Sequence, residues 1–418
     1  MIRVIPHIFV SQKHTVFQEN NKRDYNALNI TQYRTLKQYL TICGINPYQS
    51  DRMSNIIVIT MVLYIISMVI PSSLQLYGDI LKKDLDCIIQ NIPHLVTGMV
   101  SIIKILNIRS NKTQFRKIFD SVAEHWKLLE AKNELYMLNK FTGYGITLAN
   151  IYRRTLLTCL IIFFSLPFYN PLLDFVSPLN ETRPRQHIFK VNYLTLDVFE
   201  HYYGVYVHLS CSALVIVVII VSVDSLHIII TYHTCGLFAV CGSQVQKTAE
   251  NNTITKDGVM TNDVGYEEFK ECVIWHHKVL QFYHLLAKCC RNLYLVQMGL
   301  NMIVIISTAV EIVMFLNKPE EAIRASVFLM AQQFHLYVIS LPGQDLLEQS
   351  LELADKIYSS DWYQIPMKCQ KVFYMMQIRS NKPCIMTAAG LYEMKIESFG
   401  ITVKACMSYF TMFLSLRQ

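Results

Sequence analysis

Charged residues are scarce in this chain of 418 residues. They make up 17% of the sequence, while hydrophobic residues make up 52%. Soluble domains usually carry about 25% charged residues, so this scarcity argues against a soluble protein and favours a membrane protein. The net charge of +7 does not imply a nucleic acid partner, because basic residues beside membrane helices commonly mark cytoplasmic loops.

Motifs of common enzyme classes are missing. The sequence has no glycine-rich phosphate-binding loop, no His-Glu-x-x-His zinc motif and no cluster of acidic residues within its apolar segments. An enzyme is therefore the least supported class, and neither a metal nor another cofactor is expected. The first 48 residues are mixed and basic, without the apolar core of a secretory signal peptide. We therefore expect a cytoplasmic amino-terminal segment.

Cysteine is plentiful, with twelve residues, but its placement does not indicate a disulfide framework. Cys159, Cys211 and Cys406 lie within apolar segments, and most of the others fall in or beside segments predicted to be cytosolic. Small buried side chains and reduced thiols account for this pattern. The adjacent pair Cys289-Cys290 also lacks the spacing of zinc ligands.

Seven segments are apolar and long enough to cross a bilayer, which takes about 20 residues per helix. The second and sixth are interrupted by polar residues, including His94 and His335, which favours helices that face a protein interior. The third contains Pro167 and Pro171, which predict a kink near its end. The predicted spans are 54–76, 87–106, 155–176, 203–229, 293–316, 322–341 and a single final helix over 387–416.

Basic residues in the connections predict the orientation. They concentrate in the amino-terminal segment and in the connections between spans two and three and between spans six and seven. The positive-inside rule therefore places the amino terminus in the cytoplasm and the carboxyl terminus outside. The glycosylation sequon at Asn180 falls in a loop that this topology makes external. The predicted fold class is all-α, a seven-transmembrane helical protein with inverted topology.

This topology divides the chain into four regions. Residues 1–53 form the cytoplasmic amino-terminal segment, and residues 54–346 hold spans one to six with their loops. Residues 347–386 form a cytoplasmic segment before the last span, and residues 387–418 form the last span. Asp224 and Glu311 lie near span ends, where water at the membrane interface would account for their charges.

A polar stripe runs along the last predicted span. Ser408, Thr411 and Ser415 recur at three- and four-residue spacing, so they share one side of a helix. Polar stripes on a membrane helix are costly unless they face protein or water. The stripe therefore favours a helix that lines a conduit.

The segment before the last span carries the most specific pattern. It contains Asp361-Trp362-Tyr363-Gln364-Ile365-Pro366 and then Lys371-Val372-Phe373-Tyr374-Met375-Met376-Gln377-Ile378-Arg379-Ser380-Asn381-Lys382-Pro383. The last span then carries Gly390, Phe399, Lys404 and Ser408-Tyr409-Phe410. In this order, the set resembles the carboxyl-terminal signature of insect odorant receptors, in particular the ligand-selective subunits. The Asp/Glu-Arg-Tyr and Asn-Pro-x-x-Tyr motifs of G-protein-coupled receptors are missing.

The resemblance implies a function as well as a fold. Members of the family are ligand-gated, non-selective cation channels, which form heterotetramers with an odorant co-receptor subunit in the plasma membrane of olfactory sensory neurons, at the dendrite. A gustatory-type chemoreceptor channel is the nearer alternative, although its usual Gln-Phe ending is missing here. A secondary transporter is the more distant one, although no inverted repeat is visible.

The resemblance also assigns roles to residues of this chain. The last span would line the pore, with its gate among Ser408, Thr411, Met412, Ser415 and Leu416, where Met412 and Leu416 form an apolar constriction. Met412 could instead pack against another helix. Residues 54–346 would be the ligand-binding helical bundle and residues 347–386 a cytoplasmic anchor, in which Trp362 and Tyr363 would pack between subunits.

A volatile ligand would bind in the outer half of the bundle, where aromatic side chains offer large contact areas. Some of the tyrosines could instead belong to a membrane-interface belt. The candidate ligand-binding residues are Phe163, Phe164, Phe168, Tyr203, Tyr206, His208, Phe328 and Gln332.

Overall fold

A computed structural model describes residues 27–176, 187–194, 196–252 and 262–417. Nearly all of this part of the chain is helical. The α-helices are α1 Arg34–Ile42, α2 Asp51–Leu81, α3 Leu85–Ser110, α4 Lys112–Ala131, α5 Leu135–Ser165, α6 Tyr169–Val176, α7 Tyr202–Asn251, α8 Asn262–Met314, α9 Pro319–Ser359, α10 Met367–Ser380 and α11 Ile396–Arg417. Short 3-10 turns lie at Ala27–Asn29, Thr31–Tyr33, Leu166–Phe168 and Trp362–Gln364.

The predicted spans lie in α2, α3, α5 with α6, α7, α8, α9 and α11. Five helical segments in the described ranges are long and apolar enough to cross a membrane, namely Asp51–Leu81, Leu85–Ser110, Leu135–Val176, Tyr202–Asn251 and Gly265–Met314. The predicted sixth and seventh spans, in α9 and α11, are less apolar because polar residues interrupt them. The predicted kink is confirmed, since α5 ends at Ser165 and a 3-10 turn containing Pro167 leads into α6.

Helix α7 lies at the centre of the bundle. It packs against α1, α2, α3, α5, α8 and α9, and its residues 221–242 are buried without interruption. A helix that is apolar on all sides needs such complete enclosure. The connections at Lys82–Asp84 and Phe315–Lys318 define one end of the bundle, here named the short-turn end.

The opposite end is here named the anchor end. It consists of α1, α4 and α10 together with the adjoining parts of α5, α7, α8 and α9. Helix α9 runs without a break through the predicted boundary between residues 346 and 347. The predicted anchor segment 347–386 is therefore one part of a larger helical assembly.

The prediction of a single helix over 387–416 was wrong at its start. Thr387–Ala388 and Tyr392–Glu393 pair as a short antiparallel hairpin, and α11 begins only at Ile396. Ala389 and Gly390 at the hairpin turn have φ angles of 54° and 79°. These left-handed values end any helix. The backbone between the hairpin and α11 lies against α9. A Cβ atom on Gly343 of α9 would stand only 1.9 Å from the Met394 carbonyl oxygen.

Candidate functional site

An internal cavity of about 120 Å³ lies among α3, α5, α7, α8 and α9. Its wall nearest the short-turn end is aromatic. The His94 ring lies 4.6 Å from the Phe189 ring and 5.1 Å from the Phe328 ring, and Phe163 completes the group at 6.0 Å from His94. Phe189 comes from the segment 187–194, which enters the bundle and hydrogen-bonds to α2 through Asn192 N and Pro71 O at 3.1 Å.

The side of the cavity formed by α7 is aliphatic. Ala213, Ile216, Val217 and Ile220 line it, and their three- and four-residue spacing puts them on one face of the helix. Leu156, Cys159 and Leu160 of α5 and Val304 of α8 extend the same surface. The cavity is therefore mostly apolar, as expected of a site for a small hydrophobic ligand.

The far side of the cavity is polar and is here named the polar floor. Lys104 and His335 line it, and the Lys104 ammonium pairs with Asp224, which is 2% exposed. Tyr152 OH donates to Asp224 Oδ2 at 2.7 Å. The expectation that interfacial water solvates Asp224 was wrong, because the carboxylate is buried and neutralised by a lysine from another helix.

The network of the polar floor joins five helices. Tyr152 OH lies 2.7 Å from His335 Nδ1, and Gln297 Nε2 lies 3.0 Å from His335 Nε2. Lys104 comes from α3, Tyr152 from α5, Asp224 from α7, Gln297 from α8 and His335 from α9. A buried ion pair is tolerated only when its charges and remaining polar atoms find partners, and these side chains supply them.

Glu311 is also buried. The expectation that water at the membrane interface solvates this carboxylate was therefore wrong as well. Its carboxylate is 2% exposed and lies 3.5 Å from the Arg324 guanidinium. Arg324 also approaches Glu321, whose Oε2 accepts from Gln90 Nε2 at 2.6 Å. These residues connect α3, α8 and α9 near the short-turn end, above the aromatic wall.

Three of the eight candidate ligand-binding residues line the cavity, namely Phe163, Phe328 and Gln332. The other five lie beside it, nearer the surface. The Tyr206 hydroxyl donates to the Phe164 carbonyl oxygen at 2.8 Å, and the Phe168 ring packs edge-on against Tyr206.

Tyr203 and His208 occupy different surroundings from each other. Tyr203 is 66% exposed, as a residue of a membrane-interface belt would be. His208 bridges the Ser67 hydroxyl at 2.8 Å and the Tyr193 hydroxyl at 2.7 Å. The imidazole thus ties α7 to α2 and to the segment 187–194.

Sequence reasoning missed several residues of the cavity. His94 and His335 were visible as polar interruptions of two spans, but not as neighbours of one cavity. Asn301 lines the cavity from the fifth predicted span, which contributes none of the eight candidate ligand-binding residues. Phe189 lies in a loop whose entry into the bundle no periodicity indicates. Opposite charges within two spans, Lys104 and Asp224, were the one signal that could have identified the polar floor.

Helix α11 presents two different faces. Thr402 and Cys406 are buried against the bundle, whereas Ser408, Thr411, Met412 and Ser415 are exposed in the single chain. Ser408, Thr411 and Ser415 donate hydrogen bonds to carbonyl oxygens of their own helix at 2.8–3.1 Å. The polar stripe is therefore real, although its hydroxyl groups are satisfied without water. Leu416 belongs to the same helix, but its side chain lies outside the described residues.

The predicted anchor pair is exposed in the single chain. Trp362 and Tyr363 are 39% and 62% exposed, and their rings meet edge-on at 6.1 Å. Other large side chains of the same segment are exposed as well, namely Tyr358, Met367, Tyr374, Met375 and Ile378. Large exposed apolar patches commonly mark protein–protein interaction sites.

A chain of buried polar side chains stabilises the anchor end. Trp126 Nε1 donates to Tyr33 OH at 3.2 Å, Tyr33 OH lies 3.2 Å from His233 Nδ1, and His233 Nε2 lies 3.3 Å from His125 Nδ1. Burial lowers the pKa of His125 to about 4, with a smaller effect from Lys278, and burial raises the pKa of Tyr33 to about 12. These groups are therefore neutral at physiological pH.

Two remaining sequence predictions concern covalent chemistry. Asn180, the predicted glycosylation site, lies outside the described residues. All twelve cysteines lie within the described ranges, and all are free thiols.

Comparison with known proteins agrees with this architecture. The sequence model of the 7tm Odorant receptor family matches residues 84–407. Odorant receptor Or2 of Anopheles gambiae is 22% identical over 310 residues, which cover 72% of this chain and 77% of that protein. Odorant receptor 13a of Drosophila melanogaster is 21% identical over 343 residues, covering 76% and 78%.

A solved structure has the same fold. The insect olfactory receptor OR5 from Machilis hrabei, in complex with eugenol, matches with a TM-score of 0.73 at 12% identity, over 94% of this chain and all of that one. The helical seven-transmembrane architecture is thereby confirmed. Since the family match covers well over half of the sequence, the resemblance drawn from the carboxyl-terminal motifs is confirmed too, and this chain belongs to the 7tm odorant receptor family.

Proposed function

We propose that this chain is the ligand-selective subunit of a heteromeric, ligand-gated, non-selective cation channel, which binds a small volatile in the cavity described above. The observation that carries the proposal is the mostly apolar cavity bounded by α3, α5, α7, α8 and α9. Such a lining suits an uncharged, hydrophobic ligand. Phe163, Phe328 and Gln332 of the predicted set would contact that ligand directly.

The cavity has a physical route to α11. Asp224 of the polar floor also borders a small hollow lined by His227, Met386 and Met394. Met386 and Met394 flank the hairpin that precedes α11, and Gly343 of α9 touches the Met394 backbone. A ligand that shifts α7 or α9 against the polar floor would therefore move the base of α11.

Helix α11 would line the pore together with its counterparts in sister subunits. Its face bearing Ser408, Thr411, Met412 and Ser415 is uncovered in the single chain, which supports a role that needs neighbours. Met412 and Leu416 would form the apolar constriction that closes by expelling water. The amino terminus would lie in the cytoplasm and the carboxyl terminus outside, in the plasma membrane of olfactory dendrites.

The test of the channel proposal is electrical. We expect no odour-evoked current from cells expressing this chain alone, and a current within milliseconds of odour arrival when the co-receptor is added. The current should reverse near zero potential in mixed sodium and potassium solutions. A broad volatile panel that evokes no current from both chains together at the cell surface would contradict the proposal, as would saturable, ion-coupled flux of the volatile itself.

The exposed aromatic pair of the anchor is the proposed contact with the co-receptor. Replacing both Trp362 and Tyr363 by Ala should reduce co-purification of the co-receptor by at least tenfold, because aromatic side chains dominate interface energetics. Leu391→Ala is a control, since Leu391 is also exposed, at 83%, but lies in the turn of the hairpin outside the anchor. Unchanged co-purification of the double variant would remove these residues from the interface.

A further inference from the structure

The cavity has two chemically distinct ends. Phe328 and His335 both line it and are seven residues apart on α9, so about 10 Å separate its aromatic wall from its polar floor. His94 and Lys104 mark the same two ends on α3. A ligand that fills the cavity is therefore held in one orientation, with one end among rings and the other against polar groups.

Asn301 adds an unused hydrogen-bond donor next to the polar floor. This residue lines the cavity from α8 and is 6% exposed, and its Nδ2 has no hydrogen-bond partner in the described part of the chain. Burying an amide nitrogen without a partner is unfavourable, so a hydrogen bond from it to a ligand would stabilise the complex. Nδ2 is shielded from the cavity in this conformer, and rotation about the last side-chain bond, which exchanges the similarly shaped ends of the carboxamide, turns the N–H group towards the cavity.

The charges at the polar floor exclude ionic ligands. Lys104 carries one positive charge and Asp224 one negative charge, and the two are in direct contact. A carboxylate or an ammonium ion entering this buried site would lack a counterion of its own and would lose its hydration. A neutral ligand leaves the Lys104–Asp224 ion pair and the zero net charge of the polar floor unchanged.

The size of the cavity limits the ligand to about one ring. An engineered apolar cavity of about 150 Å³ in another protein takes up benzene, and the cavity here measures about 120 Å³. The aromatic wall offers edge-on and offset contacts to a ring. The cavity is only partly closed, so a short substituent on the ring can extend beyond this volume towards Asn301.

We propose that this receptor recognises small neutral aromatic volatiles that carry a carbonyl-type oxygen, and that Asn301 donates a hydrogen bond to that oxygen. The assignment rests on the proposed function of the cavity as the ligand site. It adds a specificity-determining residue on α8, the helix that also packs against α11. Ligand binding would therefore contact the neighbour of the proposed pore helix directly.

The test compares two molecules of nearly the same shape, acetophenone and α-methylstyrene, in which a methylene group replaces the carbonyl oxygen. With the co-receptor present, acetophenone should activate at a concentration about tenfold lower, as expected for one hydrogen bond to an otherwise unpaired donor. Asn301→Leu should remove the preference, so that acetophenone and α-methylstyrene reach half-maximal activation at about the same concentration. Asn301→Ser, which keeps a donor, should retain part of the preference.

Binding is measured separately from current, so that failure of the channel proposal does not hide the answer. Acetophenone should raise the melting temperature of the purified full-length chain more than α-methylstyrene does, and Asn301→Leu should abolish the difference. Equal stabilisation by both compounds, stabilisation by neither, or a preference that survives in Asn301→Leu would overturn the inference. Stabilisation by acetophenone without any current would support the inference and contradict the channel proposal.

Discussion

The two halves of α7 are similarly apolar but have different surroundings. From Tyr202 to Ile220, one face lines the cavity while Tyr203, Val207 and Leu214 are exposed. Across residues 221–242 every side chain is buried, including Asp224 in the polar floor. Hydropathy does not distinguish the two halves, because lipid and protein interior both favour apolar side chains.

The difference separates a ligand-accommodating region from a stabilising one. The first half tolerates an internal cavity because lipid can cover its outer face. The second half is enclosed by protein and carries the buried hydrogen bonds that fix the positions of α5, α8 and α9. Substitutions should therefore have small effects on stability in the first half and large ones in the second.

The largest effect is expected at the buried ion pair. Lys104→Leu or Asp224→Leu alone should destabilise the fold by about 3–5 kcal/mol, because each leaves an unpaired buried charge. The double variant, which removes both charges, should recover most of this loss. Surface expression and thermal unfolding in detergent measure the three variants. If the double variant loses as much stability as the two single variants added together, an unpaired buried charge is not the reason why the single variants are unstable.

The next effect compares two aliphatic residues in α7. Ile229→Ala should cost about 2–5 kcal/mol, because it opens a void in a fully enclosed site. Leu214→Ala should cost less than about 1 kcal/mol, since Leu214 is 43% exposed and already contacts the surroundings of the bundle. Melting temperatures of the two variants test this directly. Equal losses would show that the two halves do not differ in packing.

A smaller effect is expected where α5 meets the second half of α7. A Cβ atom on Gly145 would stand 2.7 Å from Tyr232 Cβ, whereas nothing lies within 4 Å of one on Gly143. Gly145→Ala should therefore destabilise by about 1–3 kcal/mol through overpacking. Gly143→Ala, two residues away on the same helix, should be neutral or stabilising by up to about 1 kcal/mol. Comparable losses in both would contradict close packing at Gly145.

The last effect concerns acid. The pKa of His125 in the folded chain is lowered to about 4, against 6.5 for the ordinary group, so the unfolded chain takes up the proton first as the pH falls below 6.5. Stability should therefore decrease from pH 6.5 towards 4, by about 2 kcal/mol at pH 5. Above pH 6.5 the same group should have no effect.

Variants separate His125 from the other histidines. His125→Gln should weaken the acid sensitivity of thermal unfolding, although His233 beside it stays buried. His284→Gln is the control, since His284 is exposed on α8 and should leave the pH profile unchanged. An identical profile for the wild type and His125→Gln would assign the sensitivity to other groups.

Much of the fold was predictable from local patterns. The helices that contain the predicted spans, the break at Pro167 and the family itself followed from apolar runs, proline chemistry and the motifs between Asp361 and Pro383. The candidate site was predicted less completely. Phe163, Phe328 and Gln332 line the cavity, whereas Asn301 and Phe189 were missed because neither lies in a segment whose pattern marks it as a wall.

The start of α11 shows why local patterns fail at particular places. Residues 387–395 have a composition compatible with a helix, but the left-handed turn at Ala389 and Gly390 and the packing of Met394 on Gly343 form a hairpin instead. These contacts join α9 to residues about fifty positions away in the chain. No window of sequence around residue 390 contains that information.

The sequence by itself determined that this protein is a helical membrane protein of the odorant receptor family, because apolar runs and short motifs are local properties. Only the tertiary structure decided which polar residues inside the bundle meet. Lys104 and Asp224 are 120 residues apart, and their contact depends on the rotation of α3 against α7. The cavity, its polar floor and the free amide of Asn301 arise from the same helix packing, to which every helix of the bundle contributes.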